Sequence, residues 1–211
     1  MVEYPVRQKE IVTRFPQSNS IIVMKAKTLH YLTQDETKRL FGALASKRDQ
    51  AFFRVAYTYG LRASEIGLMH RDDVDLARLK IRIQRLKGSI SSEYPLRPTV
   101  ARALRSYLRS RKDGSPTLFP SKRGLPIARR TLDYLMKRYG ALAEIPEPKR
   151  HFHVLKHSIA THLLDARTDI MVVKDWLGHK NIQNTLVYAQ LTSKTKDEQA
   201  RRIFASPQIV T

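Results

Sequence analysis

Five places in the 211-residue sequence hold polar side chains of the kinds that grip anions, carry protons or ligate metals. In Gly60-Leu61-Arg62-Ala63-Ser64-Glu65 an arginine follows a glycine placed to end a helix, and Glu65, three residues on, can orient the guanidinium if a new helix begins there. Lys87 stands in Arg85-Leu86-Lys87-Gly88. Four of the seven histidines fall in His151-Phe152-His153-Val154-Leu155-Lys156-His157 through His162. Leu177-Gly178-His179 follows, and Tyr188 comes nine residues after His179. Taken singly, each has an ordinary reading: a surface ion pair of little energetic worth, an exposed turn lysine, a packed aromatic with a satisfied hydroxyl. The histidine run invites a zinc site, but no HExxH pair, cysteine or obvious carboxylate set accompanies it, so no metal is expected.

The charge balance points to the partner. Lys and Arg number 39 against 19 Asp and Glu, a formal net charge of +20, which suits a polyanion. Eleven basic residues and one acid, Glu93, lie between Arg78 and Lys112. An imbalance of that size repels itself without counter-ions, so phosphate contact is the better reading than a merely solvated face. A 42% hydrophobic fraction excludes a mainly disordered basic tail. The absence of cysteine removes disulfides, thiol nucleophiles and thiolate zinc sites. Ile21-Ile22-Val23-Met24 is far too short for a membrane span or signal core, so a folded, soluble, cytoplasmic protein is expected.

The elements that must hold these residues follow from periodicity and punctuation. Residues 1–27 show no clear period and read as an arm expected to be mobile. Thr33-Gln34-Asp35-Glu36 is a capping box opening a helix to about Ala45, with Leu40, Phe41 and Leu44 inward. A second helix runs from about Arg48 to Tyr59, burying Phe52, Phe53, Val55 and Ala56, and Gly60 ends it. Leu79, Ile81 and Ile83 alternate with Lys80, Arg82 and Gln84 as a half-buried strand, which pairs in a hairpin with residues near Ser92–Leu96 and puts Lys87 at or near the turn. Pro98 starts a helix lined by Leu104, Tyr107 and Leu108. Another covers about Ala128–Leu142, and three shorter ones lie between about Lys156 and Gln190. The expected fold class is mainly α with a small antiparallel β-sheet.

In combination these boxes resemble the catalytic domain of the tyrosine recombinases, or phage-type integrases, over about residues 28–195. The first arginine box of that family, "TGLRxSEL", is similar to Tyr59-Gly60-Leu61-Arg62-Ala63-Ser64-Glu65-Ile66, and its hairpin lysine to Lys87. Its "HxLRH(S/T)xATxLL" box is similar to His153-Val154-Leu155-Lys156-His157-Ser158-Ile159-Ala160-Thr161-His162-Leu163-Leu164. Its "LGH" and the tyrosine nine positions on are matched by His179 and Tyr188.

The resemblance implies phosphoryl transfer at a DNA phosphodiester, with Tyr188 as nucleophile and a 3′-phosphotyrosyl intermediate, and with no cofactor, ATP or essential metal. A phenol with a pKa of about 10 attacks poorly at neutral pH unless charge or a base assists. Arg62 would present a planar fork to two non-bridging oxygens and Glu65 would support it. His179 would donate to the same phosphate, His153 would take or relay a proton near the tyrosine hydroxyl with His157 supporting, and Lys87 would protonate the departing 5′-oxygen. Lys156 stands where the family usually has a second arginine. A compact ammonium is not a bidentate fork, and three readings stay open: a phosphate contact as a point charge, which is favoured; low or conditional activity; and a binder that no longer cleaves.

Such recombinases usually carry an N-terminal core-binding domain, for which about 30 residues are too few. The short layout, with "RASEI" at 62–66 and "RLKGSISSEYPL" at 85–96, is similar to the fimbrial phase-variation invertases. The grip on duplex DNA is then expected from Arg78, Lys80, Arg82, Arg85, Arg97, Arg102 and Arg105, with Lys122, Arg123, Arg129 and Arg130. The implied partners are double-stranded DNA, further copies of the chain (a dimer per site, a tetramer at synapsis) and an accessory DNA-bending protein. Residues 196–211 could dock on a neighbouring protomer or fold back in cis. A sequence-specific DNA binder without cleavage and a basic RNA-binding protein are the competing classes.

Overall fold

Thr33 and Glu36 cap each other as their types require: Thr33 Oγ1 accepts from the Glu36 amide at 3.1 Å, and Glu36 Oε2 from the Thr33 amide at 2.6 Å. They open α1 (Gln34–Ala43), which stops short of Ala45 because Leu44 turns to extended backbone and buries its side chain. The computed structural model describes residues 29–86 and 89–189. The expected arm (1–27), the C-terminal segment (196–211) and Lys87 lie outside them.

The described residues form eight α-helices, two short 3-10 helices and one three-stranded sheet, so the expected fold class holds. Helix α2 (Lys47–Tyr59) is central, with Phe52, Phe53, Val55, Ala56 and Tyr59 fully buried. It packs on α4 (Pro98–Ser110) and on α6 (Val154–Asp165). Phe52 stacks on Phe53 with centroids 4.9 Å apart, and Phe119 and Phe152 close the cluster. Helix α6 buries residues on every side, the mark of an internal helix, and carries Lys156 into that interior. Helices α7 (Ile170–Trp176) and α8 (Gln183–Ala189) pack against it. Helix α3 (Ala63–Gly67) packs on α5 (Arg129–Leu142).

The sheet runs β1-β2-β3, all antiparallel: β1 (Val74–Asp75), β2 (Lys80–Ile83), β3 (Ser92–Pro95). Ile81 faces Tyr94 and Ile83 faces Ser92, with both isoleucines buried and Lys80 and Arg82 outward. Beyond β2 the chain turns inward instead of continuing the alternation. Arg85 is buried, while Ser89 bridges to His179 and the Ile90 amide donates to the Gly178 carbonyl at 2.9 Å. The hairpin therefore ends against the loop after α7.

Gly60 ends α2 in the left-handed region at φ +60°. A Cβ there would meet Leu177 Cδ2 at 2.4 Å and Lys156 Cγ at 3.7 Å, so both the turn and the approach of α6 and α7 need glycine.

Candidate active site

The α2 turn delivers Arg62 as the residue preceding α3. Its amide donates to Glu65 Oε2 at 2.8 Å and its Nη1 to Glu65 Oε1 at 3.0 Å, as the three-residue spacing predicts. Nη1 also donates to Ser89 Oγ at 3.0 Å, a partner that the sequence reading missed. Glu65 is wholly buried, whereas the Arg62 side chain is 37% exposed. The guanidinium is thus fixed from behind and open in front, the arrangement that suits an incoming anion. A cleft of about 290 Å³ lies in front of it, lined by Arg62, Ala63, Ser64, Arg129, Asp133 and His153.

Helix α6 brings the histidines to the same place. His153 and His157 lie one turn apart with ring centroids 4.4 Å apart. His157, not His153, meets the tyrosine: its Nδ1 lies 3.0 Å from the Tyr188 hydroxyl, with the proton's owner set by the ring tautomer. The contact with the tyrosine hydroxyl expected of His153 is thus made by the residue one turn further along. Burial, with His153 and His151 nearby, lowers the His157 pKa to about 3, so the ring is neutral and able to accept. Tyr188 is 3% exposed, and burial raises its pKa to about 12 against a smaller opposing pull from Arg62.

His179 is buried in the loop after α7, and its Nδ1 lies 3.0 Å from Thr185 Oγ1. Thr185 and Tyr188, three apart, are the two buried residues of α8, so one helix face orients His179 and presents the phenol. That spacing is the signal by which Thr185 could have been found. Burial followed by the charges of Lys156, Arg62 and Arg85 lowers the His179 pKa to about 3. Desolvation, then Lys156 and Arg62, lowers that of His153 to about 4, although its ring reaches solvent.

Lys156 is turned inward. It is 1% exposed, its Nζ donates to the Leu177 carbonyl at 3.2 Å, and it does not line the cleft. Burial and the guanidiniums of Arg62 and Arg85 bring its pKa down to about 7. Among the described residues no three His, Cys, Asp or Glu side chains converge as metal ligands.

The expected DNA-facing cations divide. Arg78, Lys80, Arg82, Arg97, Arg102, Arg105, Lys122, Arg123, Arg129 and Arg130 are exposed. Arg82 pairs with Asp73 at 2.9 Å, Lys80 with Glu93 at 3.2 Å and Arg129 with Asp133 at 3.6 Å. Arg102 and Arg105 share a cleft of about 570 Å³ with Lys47 and Arg109. Arg85 is a correction: its side chain is fully buried, so it is no part of any surface. Arg111, one of the basic run, is likewise committed inward to the Thr117 and Leu118 carbonyls. No helix of the described residues is long and apolar enough to cross a membrane.

Comparison with known proteins agrees with this geometry. The chain is 37% identical over 166 residues to tyrosine recombinase XerA of Thermococcus kodakarensis, covering 76% of this chain and 58% of that protein. It thus spans less than two thirds of the length of that relative. Against the type 1 fimbriae regulatory protein FimE of Escherichia coli K12 it is 30% identical over 167 residues, 75% of this chain and 84% of that one. The crystal structure of XerA recombinase superposes with a TM-score of 0.71 at 28% identity, over 88% of this chain and 66% of that one. XerH site-specific recombinase, bound to its palindromic difH substrate after cleavage, shares the fold with a TM-score of 0.70 at 21% identity, over 85% of this chain and 54% of that one. The model of the phage integrase family matches residues 30–195, which include Arg62, the α6 histidines, His179 and Tyr188, and the chain belongs to that family, the tyrosine recombinases.

Proposed function

We propose that residues 28–195 are the catalytic domain of a site-specific DNA recombinase that cuts and rejoins strands through Tyr188. The observation that carries this reading is the buried Tyr188 hydroxyl on the neutral His157, which packs on His153 at the edge of the Arg62 cleft. The phenol oxygen forms a bond to phosphorus as the bond to the 5′-oxygen breaks. The phenolic proton passes to His157. Lys87, assigned by resemblance, supplies a proton to the leaving 5′-oxygen. Arg62 and His179 carry the charge that grows on the non-bridging oxygens. The phosphotyrosyl ester keeps the energy of the broken diester, so attack by a 5′-hydroxyl reseals the strand without a nucleotide.

Lys156 adds positive potential from beneath this phosphate and touches no oxygen of it. Exposed cations, among them Arg97, Arg102, Arg105, Lys122, Arg123 and Arg130, hold duplex DNA through its backbone. Copies of the chain pair on each site and join as a tetramer at synapsis. The family position and the exposed basic faces support these partners.

Incubation with a nicked suicide duplex followed by denaturing electrophoresis tests the reading. A covalent adduct that is absent in Tyr188→Phe is expected. Salt-sensitive DNA binding with no adduct under any condition would instead favour a binder that no longer cleaves.

A further inference from the structure

Arg85 sits two residues before Lys87, yet its guanidinium points into the protein and caps two helices at once. Nη2 donates to the Tyr59 carbonyl at 2.7 Å and to the Trp176 carbonyl at 3.1 Å. Nη1 donates to the Gly60 carbonyl at 3.1 Å and reaches Glu65 Oε2 at 3.4 Å. Tyr59 and Gly60 close α2, and Trp176 closes α7. Terminal carbonyls of this kind have no partner within their own helix and carry its negative dipole end, so a cation there is favourable. Arg62 follows two residues after the first helix end, and His179 three after the second.

We infer that Arg85 is a positioning residue that sets the Arg62 turn and the His179 loop relative to each other. The inference rests on the recombinase reading for its consequence, and on geometry for its substance. Fixing both groups at once takes a planar fork, which a single ammonium cannot reproduce. Arg85 also shares Glu65 with Arg62, so the buried carboxylate is balanced by two guanidiniums and Arg62 keeps its outward side for an anion. Gly178 completes the fit. A Cβ there would lie 3.0 Å from Arg85 Nε and 2.8 Å from the Ile90 carbonyl, so the glycine beside His179 is the space that Arg85 occupies. Among the described residues Arg85 Nε has no hydrogen-bond partner, a cost accepted for this close approach.

The test uses the full chain carrying Arg85→Met or Arg85→Lys, with thermal unfolding as the control for folding. Three quantities are read: adduct formation rate at saturating protein, half-saturating concentration for duplex DNA, and the amide and histidine-ring ¹⁵N resonances of Arg62 and His179 without DNA. Arg85→Met is expected to lose about 100-fold in rate, as small misplacements of reacting groups do. Its half-saturation should stay within about threefold of wild type, because a buried group touches no DNA. The Arg62 and His179 resonances should move, and Arg85→Lys should recover about tenfold of the lost rate, less than the whole. A folded Arg85→Met with wild-type rate and unmoved resonances would overturn the inference, as would a loss confined to half-saturation. If Arg85→Met does not fold, Arg85→Lys decides alone, and full wild-type rate there counts against a fork. If wild type forms no adduct, the recombinase reading fails while the resonances still judge Arg85.

Discussion

The Tyr188 hydroxyl lies 3.0 Å from His157 Nδ1, the tyrosine buried and the histidine partly so, and burial holds both uncharged. A neutral imidazole against a neutral phenol is a base waiting for an electrophile. His157→Ala should therefore lower the rate of adduct formation by about 10²-fold or more, and His153→Ala by less. Without the base the reaction depends on phenolate, whose share rises tenfold per pH unit below the Tyr188 pKa of about 12. The residual rate of His157→Ala should climb steeply with pH while wild type stays flatter. A neutral His157→Ala beside an inactive His153→Ala would reverse the assignment.

Lys156 should leave a signature in stability. Its folded pKa of about 7 is below the usual lysine value, so the unfolded chain binds the extra proton between pH 7 and the unfolded pKa. Wild-type stability must then rise with pH across that window, and the destabilisation is complete below pH 7. Lys156→Met removes the buried charge and should be more stable than wild type by about 2–4 kcal/mol at pH 6. At pH 10 the order should invert, since the neutral amine still serves the Leu177 carbonyl and methionine does not. Thermal unfolding at the two pH values measures both signs, and a pH-independent difference would contradict the burial argument.

Thr185 holds the His179 ring, and Thr185→Val deletes that one hydroxyl at constant shape. The folded protein should lose about 1–2 kcal/mol of stability. Adduct formation should fall about tenfold or more at saturating protein, because an untethered ring presents the wrong edge to the phosphate for part of the time. Unchanged cleavage in a folded Thr185→Val would mean that the hydrogen bond at 3.0 Å orients nothing of use.

A phosphate placed in the Arg62 cleft opposes the neighbouring positive charges that, after burial, lower the pKa values of His153, His179 and Lys156. DNA binding should consequently take up protons near pH 7, and affinity should rise as pH falls from 8 to 6. Titration calorimetry in two buffers of different ionisation enthalpy measures the uptake, which should shrink in Lys156→Met. Proton release would contradict the account.

The parts of this site that were legible from sequence are those set locally. The Thr33–Glu36 box, the Gly60 stop, the β2 alternation and the Arg62–Glu65 pair are each decided within about four residues of chain. The family resemblance added the order of the boxes. What escaped depends on which way a side chain points once distant elements pack. His153 and His157 share one helix face by spacing, and only the placement of α8 decides which meets Tyr188. Arg85 looked like a surface cation because charge ordinarily stays in water, and Lys156 like a phosphate contact because of the family position it occupies. Arg85 is instead turned inward by carbonyls at the ends of α2 and α7, which lie far apart in sequence, and Lys156 by the Leu177 carbonyl just after α7.

The central claim is that a DNA phosphate is transferred to Tyr188. Mapping the covalent adduct tests it most directly: trap the protein on a nicked suicide duplex, digest with nuclease and trypsin, and sequence the nucleotide-bearing peptide by mass spectrometry. Cleavage after Lys180 and Lys194 isolates residues 181–194, in which Tyr188 is the single tyrosine. The account predicts a nucleotide joined through its 3′-phosphate to Tyr188 in that peptide. A nucleotide on any other residue, or an adduct that persists in Tyr188→Phe, would contradict it.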